Sequence, residues 1–200
     1  LKKFAPEYGE KFTNPEFETD WHDSLLDLGI SALKSGITNT LTIGSGRGEI
    51  FGAWKGLGVD KQGHNLGHMP QPNNEIWVKI RQYNCRMLAK LVKELESVPE
   101  GDGNMLDNTI IVYMSDAPDT HHSTGYEWPL AIVGNLKGKM NLGGRYINFP
   151  GYGKPGHHTV GALYTTFLNC VGQRQQTFGR LDPDLDEKAM QTGPLAQLMA

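Results

Sequence analysis

Thr109-Ile110-Ile111-Val112-Tyr113-Met114 is an unbroken apolar run that ends in Ser115-Asp116. It is short, rich in β-branched residues and not alternating, so it predicts a strand buried on both faces. Pro129 to Val133 predicts a second buried strand, and Arg145 to Phe149 a shorter, weaker one. Upstream, Asn73 or Asn74 caps a helix with Glu75 in its first turn. Trp77, Ile80, Met87, Leu88, Leu91 and Leu95 mark its apolar stripe, with one longer step around Tyr83 and Asn84, and Pro99 stops it. The stripe predicts a helix of about Asn74 to Val98 packed on a sheet.

Earlier still, Asp20 reads as the N-cap of a helix with Trp21, Leu25, Leu28 and Leu33 at helical spacing and Gly36 at its C′ position. Thr38 to Ile43 is rich in β-branched residues and reads as a strand. His158 to Val171 reads as a last helix through Val160, Leu163, Phe167, Leu168 and Val171. This order of elements is that of a layered α/β domain, in which ligands gather at the carboxyl ends of strands. Residues 1–19 read as an extended arm, 20–172 as the α/β domain, and 173–200 as a surface tail.

Two hundred residues can bury a core without staples. Charged residues at 20% and hydrophobic residues at 38% exclude a disordered composition. A net charge of −3 gives no support to a nucleic-acid partner, and no apolar run is long enough for a membrane span. Cys85 and Cys170 each lie in an apolar helical stretch and read as two buried free thiols, a single disulfide being the other reading. The four tryptophans read as core or interface residues.

Six of the seven histidines fall in three pairs, His64/His68, His121/His122 and His157/His158, each in a loop bearing Gly or Pro. Imidazole is the commonest metal ligand, and two-metal hydrolytic sites draw ligands from several loops. Asp60, His64 and His68 stand four residues apart, but Gly63, Gly67 and Pro70 argue for a loop, where histidines can equally bond backbone carbonyls. Asp116 follows a predicted buried strand, with Asp119, His121 and His122 close behind. A carboxylate there is a metal ligand or a turn cap. His158 can equally be the first residue of a helix. Gly44-Ser45-Gly46-Arg47-Gly48 follows a predicted strand but lacks the Gly-Lys-Ser/Thr end of a phosphate-binding loop. Neither Ser45 nor Ser115 sits in an esterase elbow.

The motifs also resemble a known family. Ala32 to Ile43, Gly63-His-Asn-Leu-Gly-His68, Leu91 to Ser115, His121-His122, Trp128 to Gly134, Gly143-Gly144, Phe167 to Gly172 and Thr192 to Leu195 run in the order of the C-terminal part of a bacterial secreted family, domain-of-unknown-function family 1552. That family resembles the alkaline phosphatase/sulfatase-like superfamily. The resemblance implies an α/β/α sandwich like the alkaline phosphatase-like core, here without its N-terminal part. It implies an extracytoplasmic, periplasmic or secreted hydrolase of phosphate or sulfate esters, with a small-molecule ester as substrate. It implies a divalent metal cofactor, zinc or calcium, held by His64, Asp116, His121, His122 and His158, with His157, Asp60 and His68 as neighbouring alternatives. The family's nucleophile lies earlier in its order, and the late Asp-His dipeptide of the superfamily is missing here. The chain alone is therefore expected to be inert. A different class of protein, a structural or assembly subunit that keeps the fold and binds protein subunits, is the alternative.

Overall fold

The computed structural model describes residues 17–44, 54–61, 65–66, 68, 74–115, 127–185 and 188–200. The chain divides into two compact units, Leu1–Asn104 and Met105–Ala200. Its architecture is mixed α/β, with three α-helices and two small antiparallel sheets among the described residues. A layered α/β/α sandwich is not what these elements show.

In the first unit, α1 spans Glu18–Lys34. Phe17 occupies the N-cap position without a side-chain cap, and the expected cap Asp20 lies inside the first turn with Glu18, where negative charge complements the helix dipole. Gly36 ends the helix as expected. At φ 69° it lets the Ile37 amide reach Ala32 O at 3.0 Å and its own amide reach Leu33 O at 3.0 Å. That is the Schellman pattern, which a β-carbon would strain. The buried face is offset by one residue from the expected one. His22, Leu26, Gly29 and Ile30 are buried, whereas Leu28 is 43% exposed.

Thr38 to Ile43 is not a strand. The Thr38 hydroxyl donates to Thr40 O at 2.8 Å and accepts from Thr40 N at 3.1 Å, so a local turn satisfies backbone groups that a ladder would use.

The second helix, α2, spans Asn74–Glu96, and Pro99 lies just beyond it. Its partner in this unit is a helix rather than a sheet. Lys34 bonds Glu94 at 2.8 Å, Lys90 pairs with Asp27, and the Tyr83 hydroxyl donates to Thr19 O at 2.9 Å. Numbers rise together along both helices, so α1 and α2 run in the same direction. Ile80 and Tyr83 are buried with Trp54, Val59 and Leu66, and Trp77, Ile76, Met87 and Leu57 pack around them. A two-residue hairpin, β1 (Pro99–Glu100) with β2 (Gly103–Asn104), ends the unit.

In the second unit, β3 (Ile111–Met114) pairs antiparallel with β4 (Leu130–Val133), Ile111 opposite Val133 and Met114 opposite Leu130. Both expected strands exist, but β3 is half-buried at every position rather than covered on both faces. A two-stranded sheet has two edges and cannot be enclosed like a central parallel strand. Leu130 and Ile132, two apart on β4, share the face that packs on the core of Met140, Ala162, Leu163, Cys170, Leu195 and Leu198.

Arg145 to Phe149 is irregular rather than a strand, although Ile147 and Phe149 still reach this core. The helix α3 spans Val160–Cys170, with Thr159 as N-cap accepting from Ala162 N at 3.3 Å. Val171, expected on its apolar face, is the C-cap and 56% exposed. The segment from Gln173, expected as a surface tail, supplies buried Leu185, Met190, Gln191, Leu195 and Leu198. Both cysteines are free thiols, but Cys85 is exposed, unlike buried Cys170.

Candidate functional site

The second unit holds the late histidine pair at the entrance to α3. His157 is buried, and its Nδ1 bonds Pro150 O at 2.9 Å. A carbonyl oxygen only accepts, so Nδ1 carries a proton and donates it. The Tyr152 ring stands edge-on to His157, centroids 5.7 Å apart.

His158 meets Phe149 edge-on at 5.2 Å, and its Nδ1 is buried with no hydrogen-bond partner. Burial, and then the neighbouring His157, push its pKa below the ordinary imidazole value, while the nearby Met190 backbone acts the other way.

The surroundings of the pair are pinned. Met190 O accepts from Thr159 N at 2.9 Å. Buried Gln191 accepts from Asp182 N at 2.6 Å and donates to Asp182 O at 2.8 Å and Leu185 O at 3.3 Å. The Tyr152 hydroxyl donates to Asp182 Oδ2 at 2.7 Å, which with the Asp184 amide holds the Asp182 carboxyl below its usual range. Such partners fix the segment that Tyr152 and the Thr159 backbone bond beside the two histidines.

The same unit also fixes the carboxyl end of β3. Trp128 Nε1 donates to Ser115 O at 2.8 Å, and the Tyr164 hydroxyl of α3 lies 3.6 Å from Met114 Sδ. The helix that begins beside His158 therefore touches the strand end that precedes Asp116.

Of the residues expected to ligate metal, His64, Asp116, His121 and His122 lie outside the described residues, as does Ser45. Asp60 and His68 are exposed. Among the described residues no group of three His, Cys, Asp or Glu side chains is placed to hold a metal. No family model, curated protein or solved structure matches this chain.

One histidine escaped the pairing pattern. His22 is fully buried in the first unit, stacked on Trp54 at 5.6 Å, with Nε2 3.4 Å from Glu18 Oε1 and Nδ1 unpartnered. Its spacing of four from Leu26 and eight from Ile30 was the available signal.

The depressed pKa of His158 predicts a pH effect on stability. In the unfolded chain an ordinary histidine binds its proton near pH ~6.5, whereas folded His158 binds it only at lower pH. Its contribution to stability is therefore complete above about pH 6.5 and is lost as pH falls through the lower folded value. Urea unfolding followed from about pH 8 down to 5 should show this loss, and His158→Gln should flatten it. An unchanged acid slope in that variant contradicts the assignment.

Proposed function

We propose that this chain is an extracytoplasmic, metal-dependent phosphate or sulfate ester hydrolase-like domain, related in fold to the alkaline phosphatase-like core and to domain-of-unknown-function family 1552. The observation that carries the proposal is the buried, unpartnered Nδ1 of His158 on a ring kept neutral. Neutral imidazole is the form that ligates a cation, and a buried ring nitrogen without a hydrogen-bond partner is costly to leave unsatisfied.

In this proposal His158 holds a divalent metal, zinc-like or calcium-like, with Asp116, His121 and His122 of the same unit as the further ligands that the resemblance implies. A metal bound there supplies Lewis acidity toward an ester oxygen. The chain's own residues do the rest. Thr159 and Met190 fix the backbone beside His158, Phe149 fixes its ring, and Trp128 fixes the backbone from which Asp116 continues. His157, its Nδ1 held by Pro150, is the orienting neighbour.

A metal centre built for ester oxyanions also binds the product anion. Inorganic phosphate or sulfate should raise the thermal midpoint of the chain only when zinc or calcium is present, and His158→Ala should remove that shift. An anion effect that ignores metal and survives His158→Ala would shift the weight to the structural or assembly subunit.

A further inference from the structure

The first unit carries a cleft of about 420 Å³ between α1, the Lys55–Leu57 turn and α2. That is within the range of small-molecule sites. Its polar groups do not cancel one another in the usual way. Asp23 and Asp27 stand four apart on α1, and Arg86 and Lys90 stand four apart on α2. Lys90 pairs with Asp27. The equivalent pair one turn back does not form. Asp23 Oδ1 instead accepts the Tyr83 hydroxyl at 3.1 Å, and Arg86 has no ion pair or hydrogen bond among the described residues.

Tyr83 stays a donor, because burial first and Asp23 second push its phenol well above the ordinary value. Its ring is almost fully buried, so the hydroxyl is held at a fixed place in the cleft. Leu57 and Met87 line the same cleft and offer apolar surface.

A guanidinium and a carboxylate that share a cleft without pairing, beside two apolar side chains, describe a ligand by its complement. We propose that this cleft binds a small zwitterion with an apolar body, of the apolar α-amino acid class. Arg86 takes the ligand carboxylate through its planar fork, Asp23 takes the ammonium, and Leu57 and Met87 meet the side chain. A simple anion would leave the Asp23 charge facing it, and a simple cation would face Arg86. The proposal is independent of the metal site.

The test is calorimetric or NMR titration of the whole chain with L-leucine, isovalerate and isopentylamine. The last two keep the branched chain and lack the ammonium or the carboxylate. Leucine should bind saturably with a Kd of about 1 mM or tighter. Each truncated probe should bind at least about tenfold more weakly, since each leaves one charge unanswered. Arg86→Gln and Asp23→Asn, both at exposed positions, should each weaken leucine by a similar factor, while Arg81→Gln, an exposed arginine outside the lining, should not. Asparagine keeps the oxygen that accepts from Tyr83. Absence of saturable leucine binding up to about 10 mM overturns the proposal. So does isovalerate binding as tightly as leucine, or leucine binding unchanged in Arg86→Gln and Asp23→Asn.

Discussion

Gly134→Ala should cost the second unit at least about 2 kcal/mol, the largest effect expected of a single added methyl group among the described glycines. Gly134 follows β4 with φ 90°, outside the range that L side chains readily adopt. A β-carbon there would lie 2.1 Å from the backbone oxygen of Thr109, and a backbone atom cannot swing aside as a side chain can. Relief requires moving either the lead-in to β3 or the exit from β4, next to the Ile111–Val133 pair that starts their ladder. The turn that follows is also constrained, since Lys137 N bonds Asp107 O at 2.7 Å and Leu136 and Lys137 both have positive φ. Denaturant unfolding measures the cost. A loss below about 0.5 kcal/mol, the size of an ordinary surface change, would mean that the approach of Gly134 to Thr109 is wrong.

Ile80→Ala should destabilise the first unit by about 2–5 kcal/mol. Ile80 is 6% exposed and sits with Trp54, Val59, Leu66 and Tyr83, so truncation leaves a cavity among large rigid rings that collapse poorly. The stripe alone would assign a loss of that size to Leu91. Leu91 is only half-buried, and Leu91→Ala should cost clearly less than Ile80→Ala. Equal losses at the two positions, measured by urea unfolding, would contradict the packing of α2 described here.

These two sites show what could be read from the chain. The helix α2 was legible because an amphipathic period over many residues is a strong signal. Tyr83 was not, because it fills the gap in that period and is buried by Trp54, which lies far back in sequence. On α1 two apolar stripes interleave, and the one that looked stronger, Trp21-Leu25-Leu28, is not the one that packs. His22 counts as polar in a pattern yet its ring stacks on Trp54, which selects the other stripe. Thr38 to Ile43 has strand-like composition, but its threonine side chain bonds its own backbone. β3 and β4 were found where expected, whereas their pairing direction is a tertiary property that short apolar runs do not encode.

At the site, the position of His158 before a helix was visible in Pro155-Gly156, while the bond of His157 to Pro150 and the orphaned Nδ1 of His158 depend on how the loop closes. The remaining expected ligands fall outside the described residues, so their convergence rests on the three histidine-bearing loops of the sequence and on the resemblance.

Metal content of the purified whole chain, measured by mass spectrometry after equilibration with zinc or calcium and removal of excess, decides whether His158 holds a metal. About one equivalent or more per chain is expected for the wild type and a clear loss in His158→Ala, with the unfolding midpoint of the metal-free variant close to that of the metal-free wild type. A wild-type chain without bound metal, or a His158→Ala variant that binds as much as the wild type, would contradict it.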